Sequence, residues 1–245
     1  MKVNTNSNVY IIIYSVVMVV VVAILLSVAA LGLKERQDNN ELNEKKTQIV
    51  KALGYNADSV SYNSLGIEAL LLDSLCQPKE ATENQVFEVL KNIKQTREEN
   101  ANDFPLFKAT DGSVVVPLYG AGLWGPIWGY IALEPDMNTV KGIVLDHKGE
   151  TPGLGAEIAT PKHQAMYVGK TVFDGEELKG IILKKGGADA NNPHEVDAIT
   201  GGTKTSDGVS AMIKDCLKSY EPYFKASKAT TNEVSNELNT ENNGK

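Results

Sequence analysis

The chain has 245 residues, with 24 Lys and Arg against 31 Asp and Glu, a net charge of −7 and a pI near 5.1. That acidic balance excludes nucleic acid as the main partner, because phosphate contacts need a basic footprint. With 42% hydrophobic and 22% charged residues the chain is not wholly disordered. Its two cysteines, Cys76 and Cys216, are too few for a disulfide framework, a four-thiolate zinc site or an iron–sulfur cluster, and leave one disulfide open.

Val9 to Leu33 is a run of 25 residues with no charge and no proline. As a helix it would extend roughly 37 Å, enough to cross a hydrocarbon core of about 30 Å with some tilt. The alternative is a cleavable signal peptide, with a loose cleavage site at Ser27-Val28-Ala29. Signal cores run to only about 15 residues, so the length favours a retained single-pass anchor over residues 1–33. Lys34, Arg36, Lys45 and Lys46 follow the span and only Lys2 precedes it. By the positive-inside rule this would leave the larger part in the cytoplasm.

Residues 34–53 carry Leu42, Ile49, Val50 and Leu53 on one narrow stripe that stops at Gly54, the pattern of a stalk helix. Residues 82–99 predict another helix, with Val86, Val89, Leu90 and Ile93 on one face. The stretch 34–110 is therefore expected to be a helical stalk and spacer. Composition changes near residue 112: 17 of the 21 glycines lie between Gly112 and Gly208. Short apolar runs at Ser113–Leu118, Pro126–Leu133, Val140–Asp146 and Lys179–Lys185 read as strands. Leu154–Val168 looks helical but is broken by Pro161. A last helix is predicted from about Ser206 to Phe224, where Val209, Met212, Ile213, Cys216, Leu217, Tyr220 and Phe224 recur at steps of three and four. Residues 226–245 are rich in Asn, Thr and Glu and read as a disordered tail. The fold class is α+β: one transmembrane helix, then a domain over 111–225 with a mostly antiparallel sheet and flanking helices.

Three clusters carry candidate chemistry. Asp197-Ala-Ile-Thr200-Gly201-Gly202-Thr203-Lys204-Thr205-Ser206 opens the last helix. Its glycines free the backbone, and the free amides and dipole of a helix start favour an anion, so Thr205 sits where a phosphate would be stabilised. An ordinary N-cap in a Gly-rich turn has the same composition. The second cluster, His147-Lys-Gly149-Glu150-Thr151-Pro152-Gly153-Leu154-Gly155-Ala-Glu157, forms a sharp turn between strand and helix. Its amides and the Thr151 hydroxyl suit a planar polar ligand, or simply a structural connection. The third, Tyr119-Gly-Ala-Gly122-Leu-Trp124-Gly-Pro126-Ile-Trp128-Gly129-Tyr130, interleaves aromatics with glycine. It suits a flat ligand or a contact surface, and equally a core or membrane-interface role for its tryptophans. His147, His163 and His194 lack metal-ligand spacing, so no metal is expected. There is no Gly-x-Ser-x-Gly elbow, no Walker P-loop and no dinucleotide fingerprint, so no catalytic residue is assigned.

With these residues assembled, the sequence resembles the C-subunit family of Na⁺-translocating NADH:quinone oxidoreductases, within the FMN-binding domain family shared with the G-type flavin carrier of the Rnf complex. The family's flavinylation motif runs acidic residue, two others, Ser/Thr, Gly, Ala, Ser/Thr, any residue, Ser/Thr. Asp197, Thr200, Gly201, Thr203 and Thr205 match it, and Gly202 stands in place of Ala. Glu150 to Gly155, Glu-Thr-Pro-Gly-Leu-Gly, is similar to the segment that lines the family's flavin site. Gly122-Leu-Trp124 through Gly129-Tyr130-Ile-Ala-Leu133 looks like the C-subunit family and is poorly matched by the Rnf carrier.

The resemblance implies FMN joined covalently by a phosphoester to the Thr205 hydroxyl, installed from FAD by a flavin transferase. It implies cofactor contacts from Thr200, Gly201, Gly202, Thr203, Lys204, Glu150, Thr151, Gly153, Leu154, Gly155 and Trp124. Lys204, with Lys184 or Lys185, would offset the phosphate charge. It also implies electron transfer between a membrane iron–sulfur centre and a second flavin on a neighbouring subunit. The setting would be the bacterial inner membrane, with the large domain periplasmic, against the charge reading above; long domains translocate despite flanking charge. The chain would be one subunit of a translocating oxidoreductase and not catalytic alone. The competing readings are a G-type electron carrier of an Rnf complex and a membrane-tethered binding domain without redox role.

Overall fold

The computed structural model describes residues 7–94 and 102–228. The chain divides into two compact units, Met1–Lys45 and Lys46–Lys245. Helix α1 (Asn8–Ala52) supplies the first unit and the opening of the second. It is long and apolar enough to cross a membrane, and none of its apolar window is buried within the chain. Tyr10 and Tyr14 stack one turn apart, and Glu41 pairs with Lys45. Polar residues continue the helix past the apolar run, and Gly54 stands beyond its end at φ +85°.

The second unit is built on a six-stranded sheet in the order β2-β1-β3-β4-β5-β6, antiparallel throughout. The strands are β1 (Glu68–Leu72), β2 (Pro78–Lys79), β3 (Phe104–Lys108), β4 (Val114–Ala121), β5 (Pro126–Leu133) and β6 (Val140–His147). Both faces are covered, which explains why β4 reads as an unbroken apolar run. Its Val114, Val116 and Leu118 join the main core with Ile127, Ile131, Val209, Met212, Ile213 and Leu217. Phe107 and the register-paired Val115 belong to a separate buried set. There Phe107 packs against Tyr62 and Phe87, and the Lys46 ammonium lies 4.9 Å from the Tyr62 ring while pairing with Glu83 at 2.6 Å. Phe87 lies on α2 (Glu83–Lys91), which Thr82 and Gln85 start with a reciprocal capping box.

After β6 the chain makes a short 3₁₀ turn (Gly155–Ala159) and α3 (Pro161–Gln164), where Pro161 sits in the first helical turn and Thr160 caps. Two small sheets follow: β7 (Phe173–Asp174) antiparallel to β8 (Glu177–Leu178), and β9 (Ile182–Lys184) parallel to β10 (Glu195–Asp197). Helix α4 (Thr203–Lys218) then lays Val209, Met212, Ile213, Cys216 and Leu217 on the sheet.

The expected spacer differs from what the sequence suggested. Within 34–110, β1, β2 and β3 are strands of the main sheet, so that sheet begins well before residue 111. The expected helix 82–99 is helical over Glu83–Lys91, and 95–99 lie outside the described residues. The last helix is interrupted at 219–220 and residues 221–228 are helical, so the first three residues of the expected tail are ordered. Its remainder lies outside the described residues. Cys76 and Cys216 are both buried and are not joined in a disulfide.

Candidate functional site

Strand β10 ends at Asp197, and Ala198–Gly202 turn the chain into α4. This turn is held from within. Gly202 N–H donates to Ile199 O at 3.0 Å, Ile199 N–H to Ser206 Oγ at 3.0 Å, and Ser206 N–H to Gly202 O at 2.9 Å. Ser210 Oγ donates to Ser206 O and accepts Leu183 N–H at 2.9 Å, tying the helix to β9. Asp197 Oδ1 accepts Ala188 N–H at 2.8 Å and fixes the loop after β9. The N-cap of α4 is Gly202, with no side-chain cap and no acid in the first turn. No side chain therefore caps the amides at this helix start, which leaves them available to an anion.

Thr205 lies in the first turn of α4 and is 1% exposed. Its hydroxyl donates to Glu150 Oε2 at 2.6 Å. Glu150, 4% exposed, follows β6, and its other oxygen, Oε1, accepts Trp124 N–H from the β4–β5 turn at 2.8 Å. Its own N–H donates to His147 Nδ1 at 3.2 Å. One carboxylate thus joins the β4–β5 turn, the loop after β6 and α4. Two glycines permit this. A β-carbon at Gly155 would lie 2.5 Å from Thr205 Oγ1 and against Glu150 Oε2, and one at Gly122 would lie 2.5 Å from Glu150 Oε1.

Around the buried pair the surface is apolar and open. Leu123 is 53%, Trp124 69% and Leu154 41% exposed, and Leu154 lies over Gly201. Thr151, Pro152 and Gly153 are exposed beside them, with Gly153 N–H donating to Glu157 Oε1 at 3.2 Å. Of the residues predicted from sequence, the structure gathers Thr205, Glu150, Gly155, Gly201, Gly202, Leu154 and the Trp124 backbone. Thr200, Thr203 and Lys204 are exposed on the turn and first helical turn. Lys185 is exposed just after β9, and Lys184 lies 3.7 Å from Glu195. Among the described residues no hydrogen bond or ion pair links these lysines to Thr205 or Glu150. The roles of Gly122 and Ser206 were not assigned from sequence. Their signal was faint: glycine beside a turn, and a hydroxyl one place past the motif.

Behind β10, the 3₁₀ turn Ala165–Tyr167 carries Tyr167, whose hydroxyl lies 3.0 Å from His163 Nε2. Both rings are buried. Burial pushes the His163 pKa down to about 4, against a smaller opposing pull from Asp197, and pushes the Tyr167 phenol up. Among the described residues no group of three His, Cys, Asp or Glu side chains is placed to hold a metal.

A buried hydroxyl at an uncapped helix start, with a glycine-lined cradle and exposed apolar side chains beside it, fits a ligand with a phosphate and a flat ring. Residues 122–218, which contain every residue of this site, match the FMN-binding domain family. The C subunit of the Na(+)-translocating NADH-quinone reductase of Vibrio anguillarum is 35% identical over 210 residues, covering 77% of this chain and 82% of that protein. Its counterpart in Yersinia pestis is 31% identical over 237 residues, covering 86% and 89%. The crystal structure of the Parabacteroides distasonis counterpart has a TM-score of 0.68 at 36% identity, over 78% of this chain and 96% of that one. Shewanella oneidensis NqrC has a TM-score of 0.64 at 28% identity, over 79% and 99%. With its site inside the FMN-binding region and its likeness extending over most of both chains, the protein belongs to the NqrC family, the C subunits of Na(+)-translocating NADH-quinone reductases.

Proposed function

We propose that this chain is the electron-carrying flavoprotein subunit of a Na⁺-translocating NADH:quinone reductase, with FMN joined by a phosphoester to Thr205. The observation that carries the reading is the Thr205 hydroxyl itself, in the first turn of a helix whose Gly202 cap leaves the amides free. Bound there, FMN supplies one- and two-electron transfer. The chain's residues hold it. Amides at the start of α4 face the phosphate, and Lys204 and Lys185 offset its charge from the exposed rim. Gly201, Gly202, Thr200 and Thr203 shape the turn. Thr151, Gly153, Leu154, Gly155 and Trp124 flank the ring, and Glu150 holds the attachment hydroxyl before the flavin is joined.

The attachment is made from FAD by a flavin transferase, and α1 anchors the chain in the bacterial inner membrane with its large domain periplasmic. The domain from 111 to 225 carries the flavin. Neighbouring subunits bearing an iron–sulfur centre and a second flavin are its electron donor and acceptor. Sodium as the pumped ion follows from the family; no residue of this site argues for it. The test is the assembled complex with Thr205→Ala. NADH-driven quinone reduction is expected to be lost while the other subunits still assemble; unchanged turnover would overturn the reading.

A further inference from the structure

We infer that Glu150 is a latch: it holds the Thr205 hydroxyl shut away in the unmodified chain, and it must leave that hydroxyl for the phosphoester to form. The inference rests on the reading of Thr205 as the attachment point. Four observations carry it.

The first is access. Thr205 is 1% exposed, its hydroxyl proton is committed to Glu150 Oε2 at 2.6 Å, and the Gly155 backbone fills the adjoining flank. No phosphorus atom of a dinucleotide can approach Oγ1 with these groups in place. The second is the balance of the reaction. Transfer forms the Thr205 Oγ–phosphorus bond and breaks the pyrophosphate P–O bond of FAD. AMP leaves with that bond's electron pair, and the hydroxyl proton is released to solvent. The product oxygen has no proton to donate and carries an anionic phosphoryl group. Glu150 Oε2 would then face acceptors only, at a distance that requires a shared proton.

The third is confinement. The carboxylate cannot swing aside within its cradle, since Gly122 and Gly155 already flank its two oxygens at a spacing that admits no β-carbon. Glu150 therefore leaves with its loop. The fourth is the loop. Thr151 to Leu154 are exposed, and their hydrogen bonds are local: Leu154 N–H and Ala156 N–H donate to Thr151 O, and Gly153 N–H donates to Glu157. A segment held by short-range bonds with exposed backbone opens at low cost. The partner left behind is Trp124 N–H, whose acceptor is Glu150 Oε1.

The experiment uses the full chain in detergent with purified flavin transferase and FAD, read by the rate of mass gain on the Thr205 peptide. In Glu150→Gln the amide has one acceptor oxygen for two donors, Thr205 Oγ–H and Trp124 N–H, so the latch is weakened. A rate at least threefold above wild type is expected. A rate equal to or below wild type overturns the inference. A second readout needs no variant: hydrogen exchange at the Trp124 amide is expected to be at least tenfold faster in the flavinylated wild type than in the unmodified chain. Equal protection in the two forms overturns the latch while leaving attachment intact. A wild type that gains no flavin at Thr205 overturns the attachment reading itself.

Discussion

The Ser206 hydroxyl reaches back from α4 to accept the Ile199 amide at 3.0 Å, closing the turn that presents Thr205. Seven residues apart, the two hold the strand-to-helix connection in one conformation while Gly202 leaves the helix start uncapped. Ser206→Ala leaves a part-buried N–H without a partner. The expected loss of unfolding free energy is about 1–3 kcal/mol, measured by urea denaturation of the full chain.

Gly155→Ala places a β-carbon 2.5 Å from Thr205 Oγ1. Unlike release of Glu150, the added methyl stays against Oγ1 after the loop opens and blocks the approach of the phosphorus atom. The rate of covalent flavin attachment is expected to fall by about a hundredfold, the effect of a misplacement near 1 Å at a reacting group. Flavin absorbance against protein mass, followed over time, checks it; a wild-type rate in Gly155→Ala would show that the cradle tolerates the methyl.

His163 gives a pH dependence with a definite sign. Its folded pKa is about 4 against 6.5 for the free side chain, so the unfolded chain binds the proton first. Stability from this residue is complete above pH 6.5 and is lost as pH falls from 6.5 to about 4. The total approaches about 3.5 kcal/mol at about 1.4 kcal/mol per pH unit. Asp111 and Asp136, whose pKa values are lowered by hydrogen bonds to Lys141 and Thr139, also lose stability in acid. The diagnostic is therefore the difference between wild type and His163→Gln in urea midpoints from about pH 7 to about pH 4.5. The variant should show the shallower slope.

The chain alone should not oxidise NADH, because it has no dinucleotide-binding fingerprint. Stopped-flow mixing of flavinylated chain with NADH is expected to leave the flavin oxidised, whereas a chemical reductant bleaches it. Rapid bleaching by NADH would mean that a nicotinamide site lies within this subunit.

Much of the sheet was readable from local pattern. Pro126–Leu133 is a strand at the predicted bounds, and the Val209–Leu217 stripe lies on the core face of α4. β1 and β3 were not readable, for a physical reason. Their pairing, Leu70 with Leu106, spans the intervening α2, and Pro105 inside β3 argues against a strand. That proline proves useful: its carbonyl accepts the buried Tyr220 hydroxyl at 2.8 Å. At the site, Thr205 was marked by its place at a helix start. Its bond to Glu150, 55 residues away, was not, because it depends on close backbone approach at Gly122 and Gly155. The lysines expected to balance the phosphate are exposed near the site without touching the buried pair.

Whether Thr205 carries the flavin is decided by the intact mass of the chain. The chain is co-expressed with a flavin transferase, exported, weighed and digested. A gain of one FMN less one water is expected on the peptide containing Thr205. The gain should be retained at least in part in Thr205→Ser, where the hydroxyl survives, and be absent in Thr205→Ala. An unmodified wild-type chain beside a modified control substrate, or a modified Thr205→Ala chain with the adduct on Thr203, would contradict attachment at Thr205.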